Sequence, residues 1–319
     1  MLTLSWTDVN RLAQAADGPI VGALDGSLLG WKSAAPTNEP DAVAAVVSAG
    51  IPRAAAAWRP ILGPLGRRAD IVGIFTHCTP KVEFTDGAGD LQHCELADLL
   101  IVVDDVTGAS PDRRAMLVQA KQGAPPTKTL TESGDLVQLE LLSTWPSFTF
   151  YQKPYFRADR DIGASGTPGR VSQSGEYGMI DLQARPPGWA HAAPANPLIF
   201  AAQSTLGLLL ARMVCGAAGR EVTIGGSDPW SDTVETLLQV TFHAAAASYP
   251  GRPSRGVSTP AYFYDDGSCG GLGLLVDAGK ERPVVLRGGG GGGASSDGDA
   301  PSEPGPINVV RVVISRASD

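Results

Sequence analysis

Apolar residues first recur at helical spacing. Trp6, Val9, Leu12 and Ala13 share one face between Thr3 and Ala16, with Thr and Ser capping candidates ahead of them and Asp17-Gly18-Pro19 as a stop. Asn38-Glu39-Pro40-Asp41 opens a second predicted helix, with Val43, Val46 and Val47 as its stripe and Gly50 as its end. The Ala-rich run from Arg53 to Arg59 predicts a short third helix before Pro60. The pattern then shifts toward strands. Asp70 to His77 and Lys81 to Thr85 read as strands, followed by the turn Asp86-Gly87-Ala88-Gly89-Asp90. Two further strands are predicted at Leu96 to Asp104 and Arg114 to Gln122, joined by a hairpin connection.

Beyond this run, Gln122 to Ser133 is a polar loop. Asp135 to Thr144, with Leu136, Leu139 and Leu142 spaced by three, predicts a helix on which Gln138 and Glu140 are candidates to face the sheet. Trp145, Phe148, Phe150, Tyr151, Tyr155 and Phe156 form an aromatic cluster, read as packing, with base stacking as the alternative beside Lys153, Arg157 and Arg160. Residues 158–195 are rich in Gly, Pro and Ser and read as a long irregular loop. Two helices are expected next, Pro197 to Ala218 and Asp228 to Ser248. Strands are expected at Ala261 to Tyr264, Leu272 to Val276 and Pro283 to Leu286. A Gly-rich linker spans 288–306, and the alternating valines of 307–319 should rejoin a sheet, because an unpaired apolar strand invites aggregation. The expected units are 1–157, 158–195, 196–287, 288–306 and 307–319.

Chemistry concentrates in the predicted hairpin. A strand has a period of two, so Gln119 and Lys121 share one face while Val118 and Ala120 take the other. An apolar strand that spends two positions on an amide and an ammonium needs something polar there. Asp98 offers the anionic oxygen a hard cation prefers, Gln119 a carbonyl oxygen, and Lys121 a charge for a phosphate or an attacking water. Glu95, three residues before Asp98, is a candidate second acid.

The order Asp98, Gln119, Lys121 resembles the PD-(D/E)xK nuclease superfamily in the Gln-x-Lys variant of Mrr-like restriction enzymes, over roughly Ile71 to Gln122. No Pro precedes Asp98, and Gln119 stands where the usual second acid would be. The resemblance implies an α/β, restriction-endonuclease-like mixed sheet flanked by helices, here with a mixed helical and β C-terminal portion. It implies Mg²⁺ or Mn²⁺ held by Asp98, Glu95 and Gln119, with Lys121 completing the catalytic set. An endonuclease acting on DNA, in a bacterial restriction or phage-defence setting, is the function it suggests. In this superfamily an early helix can donate an acid, and Glu39 is the only Glu available there. Arg113, Arg114 and Lys128 are the candidate substrate-binding cations, and Arg53, Arg59, Arg67 and Arg68 form a second basic set. A non-catalytic binding or assembly subunit, engaging a protein partner or a second copy, is the alternative.

Composition narrows this picture. With 39 Gly and 25 Pro in 319 residues, a turn-rich globular protein is expected, not a coiled coil. A net charge of −8 argues against a broadly basic nucleic-acid coat, but a metal site can sit beside a local basic patch. The four cysteines show no CxxC spacing, and the adjacent pairs His77-Cys78 and His93-Cys94 point to opposite faces of a strand, which disfavours zinc. The first nineteen residues carry Asp8, Arg11 and Asp17, so no secretory leader is expected and the cytoplasm is the expected location.

Overall fold

The computed structural model describes residues 1–28, 35–75, 80–153, 155, 157–163, 173–201, 203–247, 261–264 and 307–317. Helix α1 (Trp6–Leu24) starts where Ser5 accepts a hydrogen bond from the Asp8 amide. Pro19 does not end it. Ile20, Ala23 and Leu24 continue the buried stripe, and that packing outweighs the one backbone bond a proline removes. Helix α2 (Glu39–Ala45), capped by the Asn38 side chain, runs through one π turn (Val46–Gly50) directly into α3 (Ile51–Leu62). Gly50 is thus inside a continuous helical path and not its stop.

The strands follow: β1 (Arg67–Phe75), β2 (Lys81–Thr85), β3 (Leu91–Glu95), β4 (Leu99–Asp105), β5 (Asp112–Gln122) and the short β6 (Thr127–Lys128). Helix α4 (Ser133–Thr144) and β7 (Phe148–Phe150) come next. The span read as irregular contains β8 (Gly175–Asp181) and β9 (Gly188–Ala192). The long helix expected from Pro197 is instead a two-residue strand, β10 (Leu198–Ile199), followed by α5 (Leu206–Val214). The remaining elements are β11 (Arg220–Val222), α6 (Pro229–Ala247), β12 (Ala261–Tyr264) and β13 (Asn308–Arg316). The strands expected at 272–276 and 283–286, and the linker, lie outside the described residues.

One mixed sheet organises these pieces in the order β12-β1-β13-β4-β5-β8-β9, with β11 also on β5. The C-terminal strand β13 lies between β1 and β4, antiparallel to the first and parallel to the second. Strand β5 is antiparallel to β4. Its free side is shared, β11 taking Arg113–Ala115 and β8 pairing in parallel with Leu117–Gln122. Helices α1, α3 and α5 cover one face over a core that includes Leu12, Trp58, Ile101, Val118, Ala120 and Leu209. Helices α4 and α6, with a small β3-β2-β7 sheet, cover the other over Leu100, Leu117, Phe148, Tyr177 and Trp230. The protein is therefore α/β, with a large mixed sheet flanked by helices. Among the described residues, no helix is long and apolar enough to cross a membrane.

Candidate functional site

The predicted alternation on β5 holds. Val118 and Ala120 pack under α1, α3 and α5, whereas Gln119 (2% exposed) and Lys121 turn to the α4 face. Asp98 sits just ahead of β4, one step beyond the Leu99–Val118 pair, so the hairpin register brings it opposite Gln119. Its backbone is pinned on both sides. Its N–H donates to Val118 O (3.2 Å), and its carbonyl accepts from Asn308 Nδ2 (2.7 Å) on β13. Its Oδ2 accepts from the Ala120 amide (2.7 Å) and from Gln119 Nε2.

Helix α4 supplies the opposite wall. Asp135, in its first turn, pairs with Lys121 Nζ at 2.7 Å. Gln138, three residues on and therefore on the same side of the helix, donates through Nε2 to Gln119 Oε1 (2.5 Å) and to the Glu95 carbonyl (3.1 Å). These bonds orient the amides. Gln138 Nε2 must donate to the Glu95 carbonyl, so Gln119 meets it with oxygen and turns nitrogen to Asp98. Gln119 thus serves Asp98 as a donor, with its carbonyl engaged by Gln138 and not facing the carboxylate.

Glu39, the first residue of α2, completes the group. Its Oε2 accepts from the Gln122 amide (2.9 Å), tying the helix start to the end of β5. An acid at a helix N-terminus also meets the favourable end of the helix dipole. Lys128 donates to the Gln122 carbonyl at 2.6 Å, and its charge reaches Glu39.

The electrostatics are those of a site with too much negative charge. Burial raises the Asp98 pKa well above the usual carboxylate range, and the charges of Glu39 and Glu95 push it further. Burial likewise raises Glu39, against the pull of Lys121 and the Gln122 bond. For Lys121 burial works against the ammonium, but the Asp135 pair and the fields of Glu39 and Asp98 prevail and hold its pKa up. Four carboxylates (Glu39, Glu95, Asp98, Asp135) face two ammonium groups (Lys121, Lys128).

This donor set fits a hard divalent cation by its chemistry. It is oxygen-rich, carries surplus negative charge, and leaves Asp98 Oδ1 and Glu39 Oε1 without a donor among the described residues. Asp98 and Glu39 would hold the ion, with Glu95 close enough to feel Asp98. Among the described residues, no group of three or more His, Cys, Asp or Glu side chains is already gathered at ligand spacing.

Other sequence candidates fall elsewhere. Arg113 and Arg114 lie at the opposite end of β5, roughly 25 Å from Lys121 at the usual rise per strand residue. Arg113 is buried against Asp104 (2.5 Å) and Glu235, and Arg114 bonds the Gly219 carbonyl. Neither joins the carboxylates; Lys128 does. The aromatic cluster packs. Phe148 and Phe150 are buried edge to face, Phe150 stacks on Tyr155 at 4.4 Å, and Arg160 covers Phe150. His93 pairs with Glu83 (3.3 Å), and burial pushes the neighbouring Cys94 thiol up to about 12, keeping it protonated. His77 and Cys78 lie outside the described residues.

Asp135, Asn308 and Tyr177 were not singled out in the sequence. For Asp135 a signal exists, since Asp135 and Gln138 share one helical face. Asn308 and Tyr177 reach the site through strand pairings formed across long sequence separations.

No protein-family model matches the chain, and neither a curated protein nor a solved structure matches it.

Proposed function

We propose that the chain is a metal-dependent phosphodiesterase, a DNA endonuclease of the PD-(D/E)xK kind it resembles, of the type used in restriction or phage defence. The observation that carries this reading is the meeting of Glu39, Asp98, Gln119 and Lys121, contributed by α2, the entrance of β4 and the end of β5.

When bound, Mg²⁺ or Mn²⁺ supplies Lewis-acid stabilisation of the negative phosphate. The chain's own groups do the rest. Lys121, kept cationic by Asp135, stabilises charge developing on a non-bridging phosphate oxygen and does not act as the base. The attacking water gives its proton to bulk solvent, since the open oxygen of Glu39 is the one that would hold the ion. The water oxygen bonds to phosphorus, the bond from phosphorus to the leaving sugar oxygen breaks, and solvent protonates that oxygen. Gln119 orients the Asp98 carboxylate throughout.

One observation favours the second reading, a non-catalytic binding subunit. Both Gln119 and Lys121 are already engaged by α4, as structural residues would be. Plasmid DNA, single-stranded DNA and RNA incubated with Mg²⁺ or Mn²⁺ separate the two. Cleavage by the wild type that is lost in Asp98→Ala and in Lys121→Ala supports the nuclease. Folded wild type that cleaves none of them supports the binding subunit.

A further inference from the structure

Among the described residues the buried hydroxyl of Tyr177 has no hydrogen-bond partner, and it stands beside the site. In the parallel β5–β8 ladder, Tyr177 is the register partner of Gln119, so the two side chains leave the same face of the sheet on neighbouring strands. The residue is 0% exposed, and its hydroxyl meets no donor or acceptor among the described residues. The carboxylates it feels are those of the site. Burial first, then Asp135, Cys94 and Asp98, raise its phenol pKa. Leaving a buried hydroxyl unbonded is costly, and native chains rarely sustain that without a reason.

Apolar packing alone does not account for the phenol. Met179, the next residue on that face, fills the same layer with no polar atom, as Leu142 does from α4. A Phe at 177 would supply the same ring without the unpaired group. The hydroxyl makes sense where a polar ligand arrives beside Asp98 and Asp135, whose charges it feels.

Resting on the metal-dependent reading of this site, we propose that Tyr177 is a positioning residue for the hydrated cation, its hydroxyl hydrogen-bonding a cation-bound water. Mg²⁺ and Mn²⁺ sites of this type retain waters, and those waters need fixed partners. A hydroxyl is both donor and acceptor, so it can meet such a water in either sense. Outer contacts of this kind are worth about 10–100-fold in metal affinity.

Titration calorimetry with Mn²⁺ alone, on full-length wild type and Tyr177→Phe, tests this together with thermal unfolding of both proteins in chelator. The expected result is Mn²⁺ affinity about tenfold weaker in the variant, with a metal-free unfolding temperature equal to or above that of the wild type. Equal Mn²⁺ affinities would overturn the role of Tyr177 and leave the metal-dependent reading standing. A lower metal-free unfolding temperature would overturn it too, since the hydroxyl would then be bonded within the free chain. Wild type that binds no Mn²⁺ would overturn both.

Discussion

Gln119 Nε2 donates to Asp98 Oδ2 across the mouth of the β4–β5 hairpin, so the amide serves the acid directly. A carboxylate at Gln119 would add another negative charge beside Asp98, whose ionisation Glu39 and Glu95 already make costlier. The amide avoids that repulsion and orients Asp98. On the metal-dependent reading proposed above, Asp98→Asn should remove Mn²⁺ binding and cleavage, and on any reading it should stabilise the metal-free protein at pH 8. The sign follows from the raised pKa. A carboxyl of this kind contributes stability below its unfolded value, and that contribution is lost as pH rises through the folded one. Asn carries no such penalty at pH 8, and the expected gain is about 1–3 kcal/mol. Urea unfolding in chelator measures it; a less stable variant would show that the Asp98 charge is already compensated.

Gln138 is the hinge of the amide chain. Its Nε2 serves both Gln119 Oε1 and the Glu95 carbonyl from a buried position on α4. Gln138→Leu keeps much of the volume but strands two acceptors, at a cost of about 1–3 kcal/mol each if both stay dry. It also frees Gln119 to rotate, so cleavage should fall more than the folded fraction does. Unfolding midpoints and rates measured on the same preparations check this, and unchanged stability would mean that water replaces Gln138.

The site-bearing hairpin was legible in the sequence because its signals are local. Alternation assigns Gln119 and Lys121 to one face, and acid, connection and Gln-x-Lys follow one another along the chain. Asn38, Pro40 and the valine stripe likewise marked the start of α2, and with it Glu39. What failed was set by contacts distant in sequence. Pro19 lies in α1 because Asp17 and Ile20 have partners in α5 and the core. Strands β8 and β9 were hidden by glycines: Gly175 packs against Trp145, and at Gly178 any side chain would collide with the Trp189 ring. The valines of β13 announced a strand, but its place between β1 and β4 depends on pairings more than 190 residues away in sequence. Arg113 and Arg114 looked close to Lys121 because they are close along the chain. An extended strand separates such residues instead of gathering them.

Arg113 has a structural role at the far end of the hairpin. Its guanidinium meets Asp104 and Glu235, and Asp104 also pairs with Arg311 (2.7 Å). Arg113→Met leaves Asp104 buried with one partner of two. A cost of about 3 kcal/mol is expected, at the low end for a broken buried pair because Arg311 remains. Activity per folded molecule should be unchanged. A variant as stable as wild type but defective in cleavage would place Arg113 at the substrate.

Asp17 lets the link between α1 and α5 be read by pH. Its Oδ2 accepts from Thr205 Oγ1 (2.9 Å) and its Oδ1 from the Gly207 amide (3.1 Å). Burial nevertheless prevails over these bonds and raises its pKa above the ordinary 3.8. The folded state therefore holds this proton more tightly than the unfolded state does. The Asp17 contribution is complete below 3.8 and declines as pH rises through the folded value. Asp17→Asn has no titrating group here, and its amide can still accept from Gly207 and donate to Thr205. Urea midpoints for the two proteins at pH 4, 5, 6 and 7 isolate this one group, because every other titration is shared. The wild type should stand highest relative to Asn at pH 4 and lose ground toward pH 7. If it gained ground with rising pH, the Thr205 and Gly207 bonds would outweigh burial, and the charged form of Asp17 would be the one that joins the two helices.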